Sequence, residues 1–238
     1  MSAEHIVFSQ RLTESSAIAQ FRQRASVFLR RHKWTVVLEL AVVAILFAAH
    51  LFAFSSGVLG LAFVLSMLWL RRSNLRDLGL RRPHAWSKAV LRGVAAAVII
   101  ISLQGLLVQP LLRNLFSQPP NYSRLHGMST VQLLGWISIG WMLAATSQEI
   151  IRAYLIYSIV SLVGDSPTGW LFAVIGSSLF YALNHDYQGL AGAMGVVISC
   201  AGFGVLYLAS KRNLWSNIIC HGLNDTIAFC ALYFGALS

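Results

Sequence analysis

Three short polar stretches in the C-terminal half of the chain hold most of the ionisable residues that lie inside apolar sequence. They are Ser147-Gln148-Glu149-Ile150-Ile151-Arg152, Tyr181-Ala182-Leu183-Asn184-His185 and His221-Gly222-Leu223-Asn224-Asp225. Two neutral imidazoles with a carboxyl group at hand can position a water molecule and take its proton, while neighbouring donors bind a developing oxyanion. The residue types therefore indicate hydrolysis.

The spacing inside each stretch fits one face of a helix. Gln148 and Glu149 precede Arg152 by four and three positions, so either side chain can meet its guanidinium group. The same four-residue spacing separates the outer members of the other two stretches, Tyr181 and His185, and His221 and Asp225. We expect three helices, each turning a polar face towards a common interior.

A purely structural explanation is available for each stretch alone. Glu149 and Arg152 could neutralise each other as a structural ion pair, and Glu39 is expected to lie at the membrane interface or to pair within the bundle. Charged groups in hydrocarbon are costly and usually face a cavity or one another. Three such stretches on three successive apolar segments favour a functional site.

The composition excludes an ordinary soluble domain. Of 238 residues, 57% are hydrophobic and only 11% are charged, whereas soluble domains average about 25% charged residues. The three cysteines form no CxxC pair, which argues against a disulfide scaffold or a zinc ribbon. The net charge of +10 comes from basic residues that flank apolar segments, so we expect a lipid bilayer as partner and no nucleic acid.

The apolar segments predict an all-α, polytopic membrane bundle with a polar intramembrane cavity. We expect about seven transmembrane helices, within a range of six to eight, because only helices and closed barrels span a bilayer and no strand alternation is visible. Residues 1–33 form a basic amphipathic segment at the membrane surface, and residues 34–238 form the transmembrane domain. The apolar segments are 35–54, 57–70, 89–112, 131–163, 168–185, 189–209 and 214–236.

The distribution of basic residues predicts the orientation. Thirteen of the 18 Lys and Arg residues fall within residues 1–92, on either side of the first two apolar segments. Basic loops remain in the cytoplasm, so the N-terminus and the loop at 71–92 are expected inside. The chain is predicted to be a multi-pass integral membrane protein.

The ordered set of stretches resembles the motifs of the CPBP family, the CAAX prenyl proteases and bacteriocin-processing enzymes. That family's pattern is Glu-Glu-x-x-x-Arg, then Phe-x-x-x-His, then His-x-x-x-Asn or Asp, on separate helices. The third motif matches at His221 and Asp225, and the second at Tyr181 and His185 with Tyr in place of Phe. Residues 131–236 carry the resemblance, which implies an intramembrane endopeptidase of the glutamic type in a prokaryotic plasma (inner) membrane.

The first motif departs from the family pattern. With one residue fewer before Arg152, the two Glu positions become Gln148 and Glu149, and the helix-face pair with the arginine is kept. Gln148 then stands where the family places its water-activating carboxylate, and an amide cannot take a proton at neutral pH. Three explanations are open: an engineered Glu-to-Gln change, Glu149 as the base, or a non-proteolytic relative.

The resemblance implies a role for each candidate residue. Position 148 or Glu149 would activate water, His185 would orient it, and His221 with Asp225 or Asn224 would polarise the scissile carbonyl. Arg152 and Tyr181 would support the site. The substrate would be a peptide or protein with a membrane-associated or lipidated tail. No cofactor is expected.

Two alternatives belong to other classes. A zinc-dependent protease could use His185, His221 and Glu149 as ligands, and a non-enzymatic immunity or peptide-binding protein could use the same cavity. One difficulty is depth: counted at 1.5 Å per residue, His185 lies about 26 Å along its helix, whereas His221 lies only about 10–12 Å into its own. We nevertheless expect the two histidines to share one pocket.

Overall fold

The regular structure of the chain is helical, as its composition predicts. The computed structural model describes residues 3–49, 55–116 and 127–235, with side chains from residue 17 onward. Within these ranges there is no β-strand, and the predicted all-α class is confirmed. The α-helices are α1 (Ala3–Arg31), α2 (Lys33–Ala48), α3 (Ser55–Leu70), α4 (Trp86–Leu103), α5 (Gln109–Phe116), α6 (Thr130–Ile139), α7 (Glu149–Val163), α8 (Pro167–Leu183), α9 (Gly189–Ala209) and α10 (Leu214–Tyr233).

The described residues also include two π-helices and one short 3₁₀-helix. Gln104–Val108 joins α4 to α5, Gly140–Gln148 joins α6 to α7, and the 3₁₀-helix Asp186–Gln188 precedes α9. The apolar segment 131–163 is therefore one continuous helical run with a nine-residue π-helix in its middle. π-Helices are rare and frequently occur at functional sites, and this one ends directly before Glu149.

Local sequence explains where the helices of the C-terminal half begin and end. Ser129 accepts from the Gln132 amide while the Gln132 side chain reaches back to the Ser129 amide, a capping box that starts α6. Ser166 caps α8 ahead of a proline at its first position. Gly164, at φ +103°, ends α7 in a conformation that side-chain-bearing residues avoid. These caps fix the register of the helices that carry the polar stretches.

Each of the seven predicted apolar segments coincides with one helical run. By length and composition two of the described helices can cross a membrane, Trp86–Phe116 and Asp186–Ala209, whereas Ser55–Leu70 and Pro167–Leu183 are apolar but shorter. The number of spans therefore stays a prediction. Helix α3 begins at Ser55, two residues before the apolar segment 57–70.

The basic loop after α3 is tied to the start of α10. The Leu214 amide donates to the Gly79 carbonyl at 3.1 Å, and the Tyr207 hydroxyl donates to the Leu78 carbonyl at 2.8 Å. Gly79 has φ +102°, and a Cβ atom there would lie 1.9 Å from the Arg212 carbonyl oxygen. The end of α3, the end of α9 and the start of α10 therefore meet at one end of the bundle, together with the basic residues.

Helix α1 is held at this basic end by main-chain carbonyls of α3 and of the residue after it. Arg22 donates through Nε and Nη2 to the Trp69 carbonyl, at 3.1 and 3.0 Å. Ser26 Oγ and Arg30 Nη2 donate to the Arg71 carbonyl, at 3.2 and 2.7 Å. Donors and cations suit a helix C-terminus because its last carbonyls lack partners within the helix. The placement of α1 at a membrane surface remains a prediction.

Helix α7 lies at the centre of the core. Ile151, Leu155 and Ile156 are fully buried, and α7 packs against α8 on one side and against α2 and α3 on another. A helix that is apolar all round belongs in the interior of a bundle. The central position of α7 holds its two charged residues, Glu149 and Arg152, away from both solvent and lipid.

Candidate active site

Glu149 and Arg152 form a buried ion pair on α7. Glu149 is fully buried and Arg152 is 1% exposed. The Arg152 Nε donates to both carboxylate oxygens of Glu149, each at 3.1 Å. This is the pair that the three-residue spacing predicts. It gives the core a carboxylate whose charge is balanced on its own helix.

Helices α8 and α9 enclose the Arg152 guanidinium group. Its Nη1 donates to the Cys200 carbonyl at 3.2 Å, and its Nη2 lies 3.4 Å from the Cys200 Sγ atom. The guanidinium carbon lies 4.2 Å from the centre of the Tyr181 ring and 5.3 Å from that of Phe203, within the range of cation–π attraction. Tyr181, predicted as a supporting residue, thus contacts the charged pair directly.

Helix α10 completes the environment of the Glu149 carboxylate. The His221 Nδ1 lies 2.8 Å from Glu149 Oε1, and the Asn217 Nδ2 donates to Oε2 at 3.0 Å. A carboxylate oxygen only accepts, so the Nδ1 atom carries the proton. The ring of Phe203 stacks on the imidazole with centroids 4.8 Å apart and an interplanar angle of 20°. His221 is therefore held in one orientation by two other helices.

A second carboxylate stands on the other side of His221. Asp225 Oδ2 is 3.6 Å from His221 Nε2, and the Asp225 side chain is 20% exposed. That distance exceeds a direct hydrogen bond. The Nε2 atom and Asp225 therefore form no direct hydrogen bond, and part of the Asp225 side chain stays exposed.

The π-helix Gly140–Gln148 packs against α10 beside His221 and Asp225. Gly222 lies against the Trp141 indole so closely that a Cβ atom would be 2.5 Å from the ring. The indole Nε1 donates to Thr226 Oγ1 at 3.0 Å. At the start of the π-helix, a Cβ atom on Gly140 would lie 3.8 Å from Asp225 Oδ2. Small residues thus let the π-helix and α10 approach closely around His221 and Asp225.

Gln148 enters the site through its main chain. Its carbonyl oxygen accepts from the Tyr181 hydroxyl at 2.5 Å, which fixes the backbone next to Glu149. The Gln148 side chain is half-buried, and among the described residues no hydrogen bond to its amide group is present. Asn224 is half-buried beside Asp225. Their proposed chemical roles stay predictions.

His185 is placed one helical turn beyond Tyr181, past the end of α8. Its Nδ1 lies 2.8 Å from the Tyr181 carbonyl oxygen, and its ring stacks with Tyr187 at 6.1 Å between centroids. In the part of the chain that the structure describes, no hydrogen bond joins it directly to Gln148, Glu149 or His221. A shared pocket for the two histidines stays a prediction.

Three residues that contact Glu149, Arg152 or His221 were not among the predicted site residues. Asn217 binds Glu149, Cys200 binds Arg152, and Phe203 packs on His221. Asn217 precedes His221 by four residues, as His221 precedes Asp225, so the helical spacing that identified the third motif also includes Asn217. Nothing in the sequence distinguishes Cys200, because its carbonyl is the main contact, or Phe203, because it is one apolar residue among many on α9.

The donor set does not resemble a metal centre. Among the described residues no group of three or more His, Cys, Asp or Glu side chains is arranged to hold a metal ion. Glu149, a ligand in the zinc alternative, receives Arg152 on both oxygens. A cation at that position competes with a metal for the same lone pairs.

The comparisons with known proteins agree with the geometry. Residues 130–227 match the family model described as type II CAAX prenyl endopeptidase Rce1-like. No curated protein and no solved structure matches the chain. The matched segment holds all three polar stretches, together with Asn217, Cys200 and Phe203. Over this segment the chain is similar to the type II CAAX prenyl endopeptidase Rce1-like family.

Proposed function

We propose that the protein is an intramembrane endopeptidase that cleaves a peptide or protein with a membrane-associated or lipidated tail. The observation that carries the proposal is the joining of Glu149, Arg152, His221 and Asp225 from two helices into one buried network. This network lies inside the segment that matches a prenyl endopeptidase family. The family is membrane-embedded, and long apolar helices are present in the chain.

The proposed reaction is the addition of water to a peptide carbonyl. A base takes one proton from water, the hydroxide attacks the carbonyl carbon, and the oxyanion is stabilised by nearby donors. The proton then passes to the leaving amine as the carbon–nitrogen bond breaks. His221 Nε2 and Asp225 lie at the partly exposed side of the network, and His185 would orient the water from the end of α8.

The choice of base depends on positions 148 and 149. Each oxygen of Glu149 already accepts from two donors, and the side chain has no exposed surface. To act as the base, Glu149 would have to give up one of these partners. Position 148 is half-buried and its backbone is fixed by Tyr181, so a carboxylate there would be the better placed base. We assign Glu149 the task of orienting His221.

The test is restoration of the acidic residue. The protein with Gln148 and the Gln148→Glu variant are each reconstituted into vesicles with a farnesylated peptide that ends in a CAAX-type tail. We expect the variant to cleave about 10²–10⁴-fold faster, the usual contribution of a general base. Mass spectrometry of the released fragment measures the rate, and the same peptide without the prenyl group tests dependence on the lipid.

A second substitution makes the result specific. Gln148→Glu combined with His221→Gln should return cleavage to the background rate, because the imidazole is lost while the new carboxylate remains. If Gln148→Glu protein cleaves neither peptide and Glu149→Ala changes nothing, the protease proposal fails.

A non-proteolytic role is the second candidate, and the amide at position 148 favours it. Both oxygens of Glu149 already accept two hydrogen bonds each, and Gln148 cannot take a proton. The protein with Gln148 could therefore bind a membrane-associated peptide without cleaving it, as an immunity or peptide-binding protein would. Tight binding of the farnesylated peptide by both the protein with Gln148 and the Gln148→Glu variant, with no fragment released by either, would support this role.

A zinc-dependent reaction makes a different prediction. It requires stoichiometric zinc in the purified protein and loss of cleavage on treatment with a chelator. Cleavage by metal-free protein at an unchanged rate would contradict the zinc-dependent reaction and support water activation by a carboxylate.

We further propose seven spans with the N-terminus in the cytoplasm. The basic loop at 71–85 and the basic residues of α1 meet at one end of the bundle, as the distribution of charge in cytoplasmic loops requires. Cysteine labelling at exposed Arg76 and at exposed Arg113, each replaced by Cys in a cysteine-free background, should report opposite sides of the membrane.

A further inference from the structure

Asn217 occupies a position that the three predicted motifs do not include. It is fully buried and lies four residues before His221 and eight before Asp225 on α10, so the three polar side chains share one face of the helix. Its Nδ2 donates to Glu149 Oε2 at 3.0 Å and to the Phe203 carbonyl at 2.7 Å. The amide group therefore links α10 to both α7 and α9.

The orientation of this amide follows from its two acceptors. Both lie on the Nδ2 side, and rotating the amide by half a turn would set its oxygen against a carboxylate and a carbonyl. The Asn217 Oδ1 atom is buried and has no hydrogen-bond partner among the described residues. A buried polar atom without a partner is uncommon in proteins and calls for an explanation. Here the two donated bonds hold the amide in the one orientation that contacts Glu149.

Asn217 also touches both features that orient His221. Glu149 Oε1 receives the His221 Nδ1–H at 2.8 Å, and the Phe203 ring stacks on the imidazole. Asn217 binds Oε2 of the same carboxylate and the main chain of the same phenylalanine. It therefore restrains the carboxylate against rotation and holds the Phe203 backbone beside α10.

We propose that Asn217 is a positioning residue for His221. By holding the Glu149 carboxylate, it selects the imidazole form with the proton on Nδ1 and leaves Nε2 directed towards Asp225. Replacing Asn217 by a residue without donors lets the carboxylate rotate, so the His221 ring is no longer confined to one form. The role in catalysis rests on the proposed peptidase function, but the effect on the imidazole does not.

The test reads the histidine ring itself. The protein is labelled with ¹⁵N-histidine and studied by NMR in detergent micelles, and the His221 signals among the seven histidines are assigned by their loss in His221→Gln. We expect Asn217→Leu, whose side chain has the same branching and number of heavy atoms but no donor, to shift the His221 ring nitrogens away from the Nδ1-protonated form. Asn217→Ser keeps one donor and should give an intermediate result, which also serves if the leucine variant does not fold.

Ser216→Ala is the matched control. Ser216 is buried on the neighbouring position of α10 and donates to the Ala89 carbonyl at 3.1 Å, so its loss removes a buried helix–helix hydrogen bond without touching Glu149. It should leave the His221 signals unchanged. Unchanged His221 signals in folded Asn217→Leu and Asn217→Ser would overturn the proposal, as would an equal shift in Ser216→Ala.

A kinetic measurement connects the positioning to the reaction. In the sequence that cleaves the farnesylated peptide, Asn217→Leu should lower kcat by about tenfold with little change in KM, because the binding surface is untouched while the imidazole is less often oriented. If no sequence cleaves the peptide but the His221 signals shift as described, the peptidase proposal fails and the positioning role stands. A normal kcat in a folded Asn217→Leu protein would contradict the catalytic part.

Discussion

Two Glu–Arg pairs contain or contact residues of helix α7, and their partners differ. Glu149 and Arg152 lie on α7 itself, three residues apart. Glu39 of α2 binds Arg71, which directly follows α3, at 2.6 Å, and accepts from the Tyr154 hydroxyl of α7 at 2.5 Å. Tyr154 and Arg152 are two residues apart and point to nearly opposite sides of the helix. Only the first pair lies in the segment that matches the endopeptidase family.

The partners of the two carboxylates differ in what they can do. The partners of Glu39 are a guanidinium group and a phenol, and neither exchanges a proton readily near neutral pH. Glu149 has His221, which does, and beyond it Asp225 at 3.6 Å. A buried carboxylate alone therefore does not indicate catalysis. We propose that the neighbouring imidazole makes the Glu149–Arg152 pair the chemical one, whereas the Glu39–Arg71 pair is structural.

The largest effect is expected when the chemical pair is broken. Arg152→Met leaves the Glu149 charge buried with no cation on its own helix, and breaking a buried pair costs about 3–5 kcal/mol. Thermal unfolding in detergent measures the loss of stability. Arg113→Met removes an exposed arginine near the end of α5 and should have no measurable effect. Equal stability of the two variants would show that Arg152 does not balance Glu149.

The next effect separates the two carboxylates directly. Glu149→Gln leaves the buried Arg152 charge unpaired and should lower stability by up to about 3–5 kcal/mol, whereas Glu39→Gln should cost about 1–3 kcal/mol because Arg71 is partly exposed. Cleavage of the farnesylated peptide should fall by at least about 10²-fold in Glu149→Gln and change little in Glu39→Gln. The measurement is kcat/KM in the sequence that cleaves the peptide. Comparable losses in both variants would mean that the two pairs are not functionally distinct.

The smallest effect is expected for Ser26, which contacts the main chain of Arg71 but not Glu39. Ser26 of α1 donates to the carbonyl of Arg71, the partner of Glu39. Ser26→Ala should lower stability by at most about 1 kcal/mol, because Arg30 donates to the same carbonyl, and should leave kcat/KM unchanged. Thermal unfolding and the peptide assay check both values. A large loss of activity would show that α1 influences the site through Glu39 and α7.

The sequence predicts helices and the Glu149–Arg152 pair well because both depend on local spacing. Apolar length identified each helical run, and the three-residue spacing identified the pair. Asn217 could have been found by the same rule, since it continues the four-residue series of His221 and Asp225. The partner of Glu39 could not, because Arg71 comes from a different helix end and the choice depends on how α2 and α3 pack.

The relation between His185 and the network shows another limit of the sequence. Motif order suggested that it would join His221, whereas counting residues along the helices suggested a difference in depth. In the structure Tyr181, one turn earlier, contacts Arg152. Whether His185 also shares a pocket with His221 stays a prediction, because this depends on where α8 begins relative to its neighbours, which a single sequence gives only to within a few residues.

The π-helix Gly140–Gln148 gives the chain tolerance to a change in length. A π-helix bonds each residue to the fifth along rather than the fourth, so a run of this kind holds a surplus residue relative to α-helical winding. Loss of one residue there can be absorbed by tightening the run, with Glu149 still facing α10. Loss of a residue between Glu149 and Arg152 would instead turn the two charged side chains away from each other. Insertions and deletions near this site are therefore expected to accumulate on its N-terminal side, ahead of the first charged residue of α7.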